Sequence, residues 1–275
     1  MKKAKALAAL KYIFLIVVGI FILYPLYMVV VNSFRTNTNI MMDPFGLPDK
    51  LMFDNYVKAW TNGTLYALYK NSAIVTFGSV ALIALFSSMV GFVMSREDFR
   101  FRKLLFTLFI IGMTIPFQVG IIPLYLQMNS FGLTDSHLGL IIVYVVNYLS
   151  FSTYIMYGFI RRISRDIQEA ALIDGVSNFG MYWRIILPLS PAVVTSVVIF
   201  NLMFVWNDMF FSLVMMQTKL RKTLTIGLLN FRGQYQSDYA TMFAGVVLVS
   251  LPMIALFFLL QKRFIEGVSS GAVKG

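Results

Sequence analysis

The 275-residue sequence has no cysteine, so neither disulfides nor thiolate metal sites can form. Charged residues make up only 13% of it, against about 25% in a soluble domain. It holds a single histidine, His137, which follows Asp135 in a short turn and reads as a loop residue. No Gly-rich segment ends in Gly-Lys-Ser/Thr, which excludes that way of binding ATP. No apolar run carries a nucleophile, a metal cluster or an acid–base pair, so an intramembrane enzyme is set aside and no metal site is expected. What is abundant is apolar: 59% hydrophobic residues, 16% aromatics and a mean hydropathy of +0.77. Such a chain is neither disordered nor water-soluble. At about 20 residues per span it has room for roughly six transmembrane helices, and the expected class is all-α and polytopic.

The apolar runs fall at 12–31, 71–95, 104–126, 138–160, 189–216 and 239–260. The first follows Lys2, Lys3, Lys5 and Lys11 but is too long for a cleaved signal core of about 7–15 residues. It reads as a retained span with a cytoplasmic amino end. The polar stretch from Arg35 to Lys70 reads as an external loop with a short surface helix around Asp54 to Trp60. Six spans put both termini on one side. That side holds 15 of the 23 Lys and Arg, clustered at Arg96 to Lys103, at Arg161 to Arg165 and near both termini, and the other holds 8. The positive-inside rule makes the richer side cytoplasmic.

Span character differs. The second run is crowded with small residues, Ser72, Ala73, Gly78, Ser79, Ala81, Ser87, Ser88 and Gly91, which lets helices approach closely. The third contains Pro116 and Pro123, expected to bend a helix. A path for a solute needs a few well-placed polar groups among apolar and aromatic walls. Tyr144, Asn147, Tyr148, Phe151 and Tyr154 recur at helical spacing and share a face, and Thr114, Gln118 and Tyr125 do likewise. Asn201 is an amide inside an apolar run, with Trp206 and Asn207 near its outer end. The competing reading of each is hydrogen bonding and packing between helices. Asp208 reads either as an interfacial carboxylate or as a buried functional one.

The segment between the fourth and fifth runs is the most informative. Glu169, Ala170, Ala171, Leu172 and Ile173 can form a short helix whose alanines admit another protein surface. Asp174-Gly175 follows, with glycine where the chain must turn. Ser177 can cap a second short helix bearing Phe179, Tyr182, Trp183 and Ile186 as an apolar stripe. Pro188 and Pro191 mark re-entry into the membrane. An amphipathic connector lying in the interface would explain the stripe but not the small, charged, Gly-containing opening.

With Glu169, Ala170, Ala171, Asp174, Gly175, Leu187 and Pro188 in this order and spacing, the sequence resembles the membrane permease subunits of bacterial ABC importers. Trp206-Asn207, with Phe204 and Phe210 around it, and the ending Gln261-Lys262-Arg263-Phe264 through Gly271 to Gly275 look like the shorter permease of the carbohydrate-importing, maltose-type branch. The likeness runs over essentially the whole chain. One departure is Ile163-Ser164-Arg165-Asp166, where the family often has Ile-Pro, and it bears on how the coupling helix is entered. The resemblance implies a type I permease fold, one permease domain over 1–275, a cytoplasmic coupling-helix loop over 161–187 and a cytoplasmic tail over 264–275. It implies that Gly271, Ala272, Lys274 and Gly275 are a second contact with the ATPase, the competing reading being a plain polar terminus. It also implies a second homologous permease, two ATPase subunits that bind ATP and Mg in place of this chain, and an extracytoplasmic sugar-binding protein. The setting is the bacterial cytoplasmic membrane, and nucleic acid is no partner. An ion-coupled carrier or channel is the alternative, but it predicts intramembrane charges that are not seen.

Overall fold

The computed structural model describes residues 2–62, 65–96, 99–231 and 238–272, which among them form helices and no strand. The helices are α1 (Lys2–Ser33), α2 (Asn37–Met42), α3 (Asp54–Asn62), α4 (Leu65–Arg96), α5 (Arg102–Thr114), α6 (Ile121–Ser130) and α7 (His137–Ile160). They continue with α8 (Arg165–Ile173), α9 (Asn178–Met181), α10 (Pro191–Asn207), α11 (Phe210–Met215), α12 (Leu224–Gly227) and α13 (Tyr239–Ala272). Four stretches are unbroken, long and apolar enough to cross a membrane: Leu10–Ser33, Leu65–Arg96, His137–Ile160 and Tyr239–Gln261. Two bent pairs, counted as one span each, bring the number to six.

The third apolar run is broken where a simple bend was expected. Its arms, Arg102–Thr114 and Phe117–Ser130, meet at 89°. α5 has 13 residues, about 20 Å at 1.5 Å per residue, and cannot cross an apolar layer of about 30 Å alone. Pro116 causes the break. It forces Ile115 into extended backbone (φ −77°, ψ 121°), and a 3₁₀ turn over Phe117–Gly120 restarts the helix. Pro123 does no such damage, because it lies in the first turn of α6, where a missing N–H leaves no bond unmade. The fifth run is also divided, ending its long helix at Asn207 and resuming as α11.

The chain forms two compact units. One comprises Met1–Tyr66 and Gly227–Pro252. Its centre is Arg35, only 3% exposed, which sequence reading had placed in an external loop. Arg35 donates to Asn32 Oδ1 (2.9 Å) and to the Asn39 carbonyl (3.0 Å). Asn55 donates to the carbonyls of Ser33 and Arg35, at 2.9 Å each, tying α3 to the end of α1. Asn37 Oδ1 accepts from the Tyr239 N–H (2.9 Å). Residues 35–55 are therefore held in place by hydrogen bonds, some of which side chains far apart in sequence supply.

The other unit comprises Ala67–Ile226 and Met253–Gly275. α7 is its axis, packed on α5, α10 and α11. One core cluster gathers Ile83, Phe92, Met156, Ile160, Met181, Tyr182 and Ile186, and a second gathers Val75, Leu140, Tyr144, Phe211 and Met215. Of the small residues of α4, Ser72, Ser79, Ser87, Ser88 and Gly91 are buried, whereas Ala81 is exposed. Just before the amino end of α7, Asp135 (φ 50°) binds a distant turn. Its carboxylate accepts from the N–H groups of Gln217 and Thr218 (3.0 Å each) and the Thr218 hydroxyl (2.6 Å), with Arg221 at 3.5 Å. Burial pushes this carboxyl up, but the hydrogen bonds from Thr218 and Gln217 and the charge of Arg221 outweigh it and hold the group below its usual value.

Two outcomes are expected. A Cβ on Gly91 would lie 2.8 Å from Met156 Cβ and 3.0 Å from the Tyr157 amide nitrogen, so Gly91→Val should destabilise α4 against α7 by about 1–3 kcal/mol, read as a lower melting temperature in detergent. Because the folded carboxyl of Asp135 lies below its unfolded value, its contribution is full above the usual carboxylate range and fades as pH falls through the folded value. Asp135→Asn should therefore lower the melting temperature at pH 7 and lose its difference from wild type in acid; a gap that persisted once the wild-type carboxyl is protonated would contradict this.

Candidate functional site

The loop between α7 and α10 is built from capping interactions. Ser164 stands where the resembling family often has proline, and its hydroxyl accepts the Asp166 N–H (3.2 Å) to open α8. α8 closes at Gly175, whose φ of +74° needs glycine. There the Val176 N–H bonds the Ala171 carbonyl (2.9 Å) and the Gly175 N–H the Leu172 carbonyl (3.0 Å), the reciprocal pair of a Schellman end. Ser177 then accepts from the Gly180 N–H (3.2 Å) and starts α9, which widens into a π turn over Tyr182–Ile186. Leu187 is half-buried and Pro188 exposed where the chain turns toward α10.

This hairpin has an inner and an outer face, and the division corrects two sequence expectations. Ala171, Met181, Tyr182 and Ile186 are buried in the first core cluster. Ala171 is thus small to fit its own core, and the exposed alanine is Ala170. The supposed single stripe is split: Tyr182 and Ile186 face inward, while Phe179 (69% exposed) and Trp183 face outward with ring centroids 6.1 Å apart. The π turn offsets the two i, i+4 pairs. Leu172 and Ile173 (87% exposed) join the outer face, beside the exposed side chains of Glu169 and Asp174.

Two buried side chains of α4 clasp it to this loop, and sequence reading missed both. Arg96, at the carboxyl end of α4, donates to the carbonyls of Ile160 (2.7 Å) and Ile163, on either side of the loop's entry. Ser88, two turns earlier, bonds the Tyr182 hydroxyl at 2.7 Å inside the loop's second half. The Tyr182 ring lies 5.7 Å from that of Phe92. An arginine ending an apolar run was the available signal for the first of these. The second pairs residues 94 apart, and no local pattern announces it.

The candidate path residues separate into distinct environments. Gln118, Asn147, Tyr148 and Phe151 line one open cavity of ≈ 460 Å³ together with Phe204, Asp208, Phe210 and Phe211. Its wall continues as near-parallel rings: Tyr144 to Tyr148 at 6.3 Å, Tyr148 to Phe204 at 5.6 Å and Phe204 to Phe200 at 6.4 Å. Tyr144 itself is buried behind this wall and donates to Asp208 Oδ2 (2.7 Å). The same oxygen accepts from the Phe211 N–H (3.0 Å), so Asp208 opens α11 while lining the cavity.

The others lie elsewhere. Asn201 is buried and donates to Ser152 Oγ (2.9 Å) and the Val197 carbonyl (2.7 Å), a bond between helices. Trp206 is buried 6.3 Å from the Tyr69 ring, and Asn207 bonds back to the Met203 carbonyl (2.8 Å). Thr114 bonds its own helix at Ile111, and Tyr125 accepts from Gln217 (2.7 Å). The 89° break removes the shared face expected of Thr114, Gln118 and Tyr125. Tyr154 points to an exposed face of α7. His137 is the first residue of α7 rather than a turn residue. Gly271 and Ala272 are the last residues of α13, and Lys274 and Gly275 lie outside the described residues. Among the described residues no cluster of His, Asp or Glu is arranged to hold a metal ion.

Comparison with known proteins gives a consistent result. Residues 83–270 match the family of binding-protein-dependent transport system inner membrane components. A diacetylchitobiose uptake system permease protein of Streptomyces coelicolor is 31% identical, over 97% of this chain and 89% of that protein. A probable permease for starch degradation products from Thermoanaerobacterium thermosulfurigenes is 33% identical, over 94% of each. A multiple sugar-binding transport system permease of Streptococcus mutans is 31% identical, over 96% of each. Among solved structures, a chain of a bacterial ABC transporter that imports alginate superposes with a TM-score of 0.87 at 20% identity, covering 96% of this chain and 98% of that one. At that identity the likeness is one of fold.

Arg96→Met would remove the charged donor shared by the Ile160 and Ile163 carbonyls and leave Ile160 only the local turn bond from the Ile163 N–H (3.2 Å), which should destabilise the loop entry by about 1–3 kcal/mol. Faster proteolysis confined to residues 161–187, with the spans still protected, is the expected reading; unchanged cleavage would remove Arg96 from this role.

Proposed function

The chain belongs to the binding-protein-dependent transport inner membrane component family and is a multi-pass membrane permease, and from that premise we propose that it serves an ATP-driven importer of a sugar or oligosaccharide. An extracytoplasmic binding protein delivers the saccharide. A second homologous permease completes the path, and two partner ATPase subunits bind ATP and Mg and hydrolyse the nucleotide. Both termini lie in the cytoplasm, as the Lys and Arg distribution favours. Relatives whose names specify diacetylchitobiose, starch degradation products and multiple sugars support the substrate class.

One observation carries this reading: a hairpin fixed at its base and apolar at its tip. Ala171, Met181 and Tyr182 anchor it in the core, while Leu172, Ile173, Phe179 and Trp183 present apolar surface beside Glu169 and Asp174. Exposed apolar groups with a polar rim suit a protein partner. Glu169, Ala170, Ala171, Asp174, Gly175, Leu187 and Pro188 form the ATPase-coupling element, and the tail at Gly271, Ala272, Lys274 and Gly275 makes a second contact. ATP acts by binding the closed ATPase dimer better than the open one. The hairpin moves with its partner, and the Arg96 and Ser88 bonds pass that movement to α4 and α7. The cavity walled by Gln118, Asn147, Tyr148 and Phe151 offers amide and hydroxyl groups beside aromatic faces, the chemistry that saccharides require.

Gly175→Pro cannot reach φ +74° and removes the N–H that Leu172 accepts, a penalty of about 3 kcal/mol or more. That variant and Glu169→Lys should leave the chain in the membrane but reduce ATP hydrolysis stimulated by loaded binding protein roughly tenfold or more in vesicles, a barrier change of about 1.4 kcal/mol or greater. Normal stimulation in both variants would remove the loop from this role.

A further inference from the structure

A concentration of positive charge lies outside both the coupling face and the aromatic cavity. Arg100, Arg102, Lys103 and Arg161 line one cavity of ≈ 680 Å³, with Phe106 and Tyr157 in its wall. Three span ends frame it: the carboxyl ends of α4 and α7 and the amino end of α5. Such ends lie at the boundary between hydrocarbon and water. Arg102 and Lys103 are the first two residues of α5, which no side chain caps, so the helix end adds its own partial positive charge. Phe106 and Tyr157 pack at 4.5 Å, and the Arg161 guanidinium sits 6.0 Å over the Tyr157 ring while donating to its hydroxyl (3.3 Å). Arg161 is thereby held at the cavity rim.

An apolar strip continues from this charge. Leu104, Leu108 and Ile111 follow at i, i+4 and i+7 on α5, and all three are exposed. α5 buries no residue within the chain. A cluster of cations at the membrane boundary, joined to an apolar strip along the span, complements one kind of molecule. We propose that this cavity binds the phosphodiester headgroup of an anionic phospholipid, with an acyl chain lying along α5. Guanidinium groups hold phosphate oxygens in bidentate fashion, and Lys103 adds a point charge. The site abuts the coupling loop, since Arg161 directly follows α7 and precedes α8. A bound headgroup therefore steadies the entry of that loop. The inference concerns lipid binding and stands apart from what the protein transports.

The test is native mass spectrometry of the detergent-solubilised complex, titrated with phosphatidylglycerol or with phosphatidylcholine of the same acyl chains. Wild type should retain phosphatidylglycerol preferentially. Arg100→Gln, Lys103→Gln and Arg161→Gln should each lower that retention about fivefold, and together about a hundredfold, with phosphatidylcholine unaffected. Arg100→Lys combined with Arg161→Lys keeps the charge and should keep most of the preference. These side chains are exposed, and co-purification of the other subunits checks assembly. Equal retention by wild type and the triple variant overturns the proposal. So does displacement of phosphatidylglycerol by millimolar inorganic phosphate or ATP, which would assign the cavity to a soluble anion.

Discussion

Inside a bilayer no water is available to satisfy the backbone, and each N–H or carbonyl freed by a break in a helix must find a partner within the protein. Three departures from straight helix among the described residues each meet that condition by a specific device. At the Pro116 break, the Val119 N–H bonds the Pro116 carbonyl (3.1 Å) and a 3₁₀ turn carries the chain into α6. At the break after Asn207, Asp208 caps α11 with its side chain, while its own carbonyl accepts from the Thr225 hydroxyl (2.7 Å). At the end of α7, the Arg96 guanidinium reaches across from α4. Breaks are the places where a membrane helix can turn a polar side chain toward a cavity, so the need to satisfy the backbone decides where a path is possible.

On the proposed reading, the same requirement explains why the coupling hairpin can act as a lever. Its base is closed by the Ser164 cap, the Schellman end at Gly175 and the Ser177 cap, each worth about 1 kcal/mol, and by the burial of Met181, Tyr182 and Ile186. Three buried apolar side chains at about 1.5–3 kcal/mol each outweigh the caps. Packing therefore holds the hairpin to the spans, and capping fixes its shape. A loop attached only by capping would swing under a partner's pull without moving the helices. Attached through Tyr182 and Arg96, it cannot move without α4 and α7.

Much of this was legible in the sequence, and the parts that were not share a cause. Composition and apolar run length gave the class and six apolar runs, because transfer to lipid sums over about 20 residues and tolerates local error. Gly175 and Ser177 were legible as turn and cap because their roles depend on their own backbone. Other features depended on tertiary partners. The Pro116 break reaches 89° where sequence announces only a bend, since the angle is set by what packs on either arm. Ala171 faces inward because α8 packs that side against the core cluster, and the aromatic stripe divides where a π turn over Tyr182–Ile186 shifts the helical register by one residue. Asn201 bonds Ser152 from 49 positions away, and periodicity within one helix cannot tell that from a path-lining amide. Arg35 looked like an exposed loop charge because its acceptors are formed only when α1 and α2 meet.

On the proposed reading, the aromatic cavity follows from what an importer must avoid. A solute that stays bound in the path stops transport, so binding there has to be strong enough to admit it and weak enough to release it. Stacked rings such as Tyr148 and Phe204 offer broad, shallow attraction, and Gln118 and Asn147 add neutral hydrogen bonds. The one charge in the wall, Asp208, is already engaged by Tyr144 and the Phe211 N–H, which reduces its pull on a passing solute. Tight recognition then belongs to the binding protein outside the membrane. The differential affinity that drives the cycle belongs to ATP in its partner, because a ligand shifts an equilibrium only by the difference in its affinity for the two states. A saccharide held equally in outward-facing and inward-facing forms shifts nothing, and a wall of neutral rings and amides suits that role.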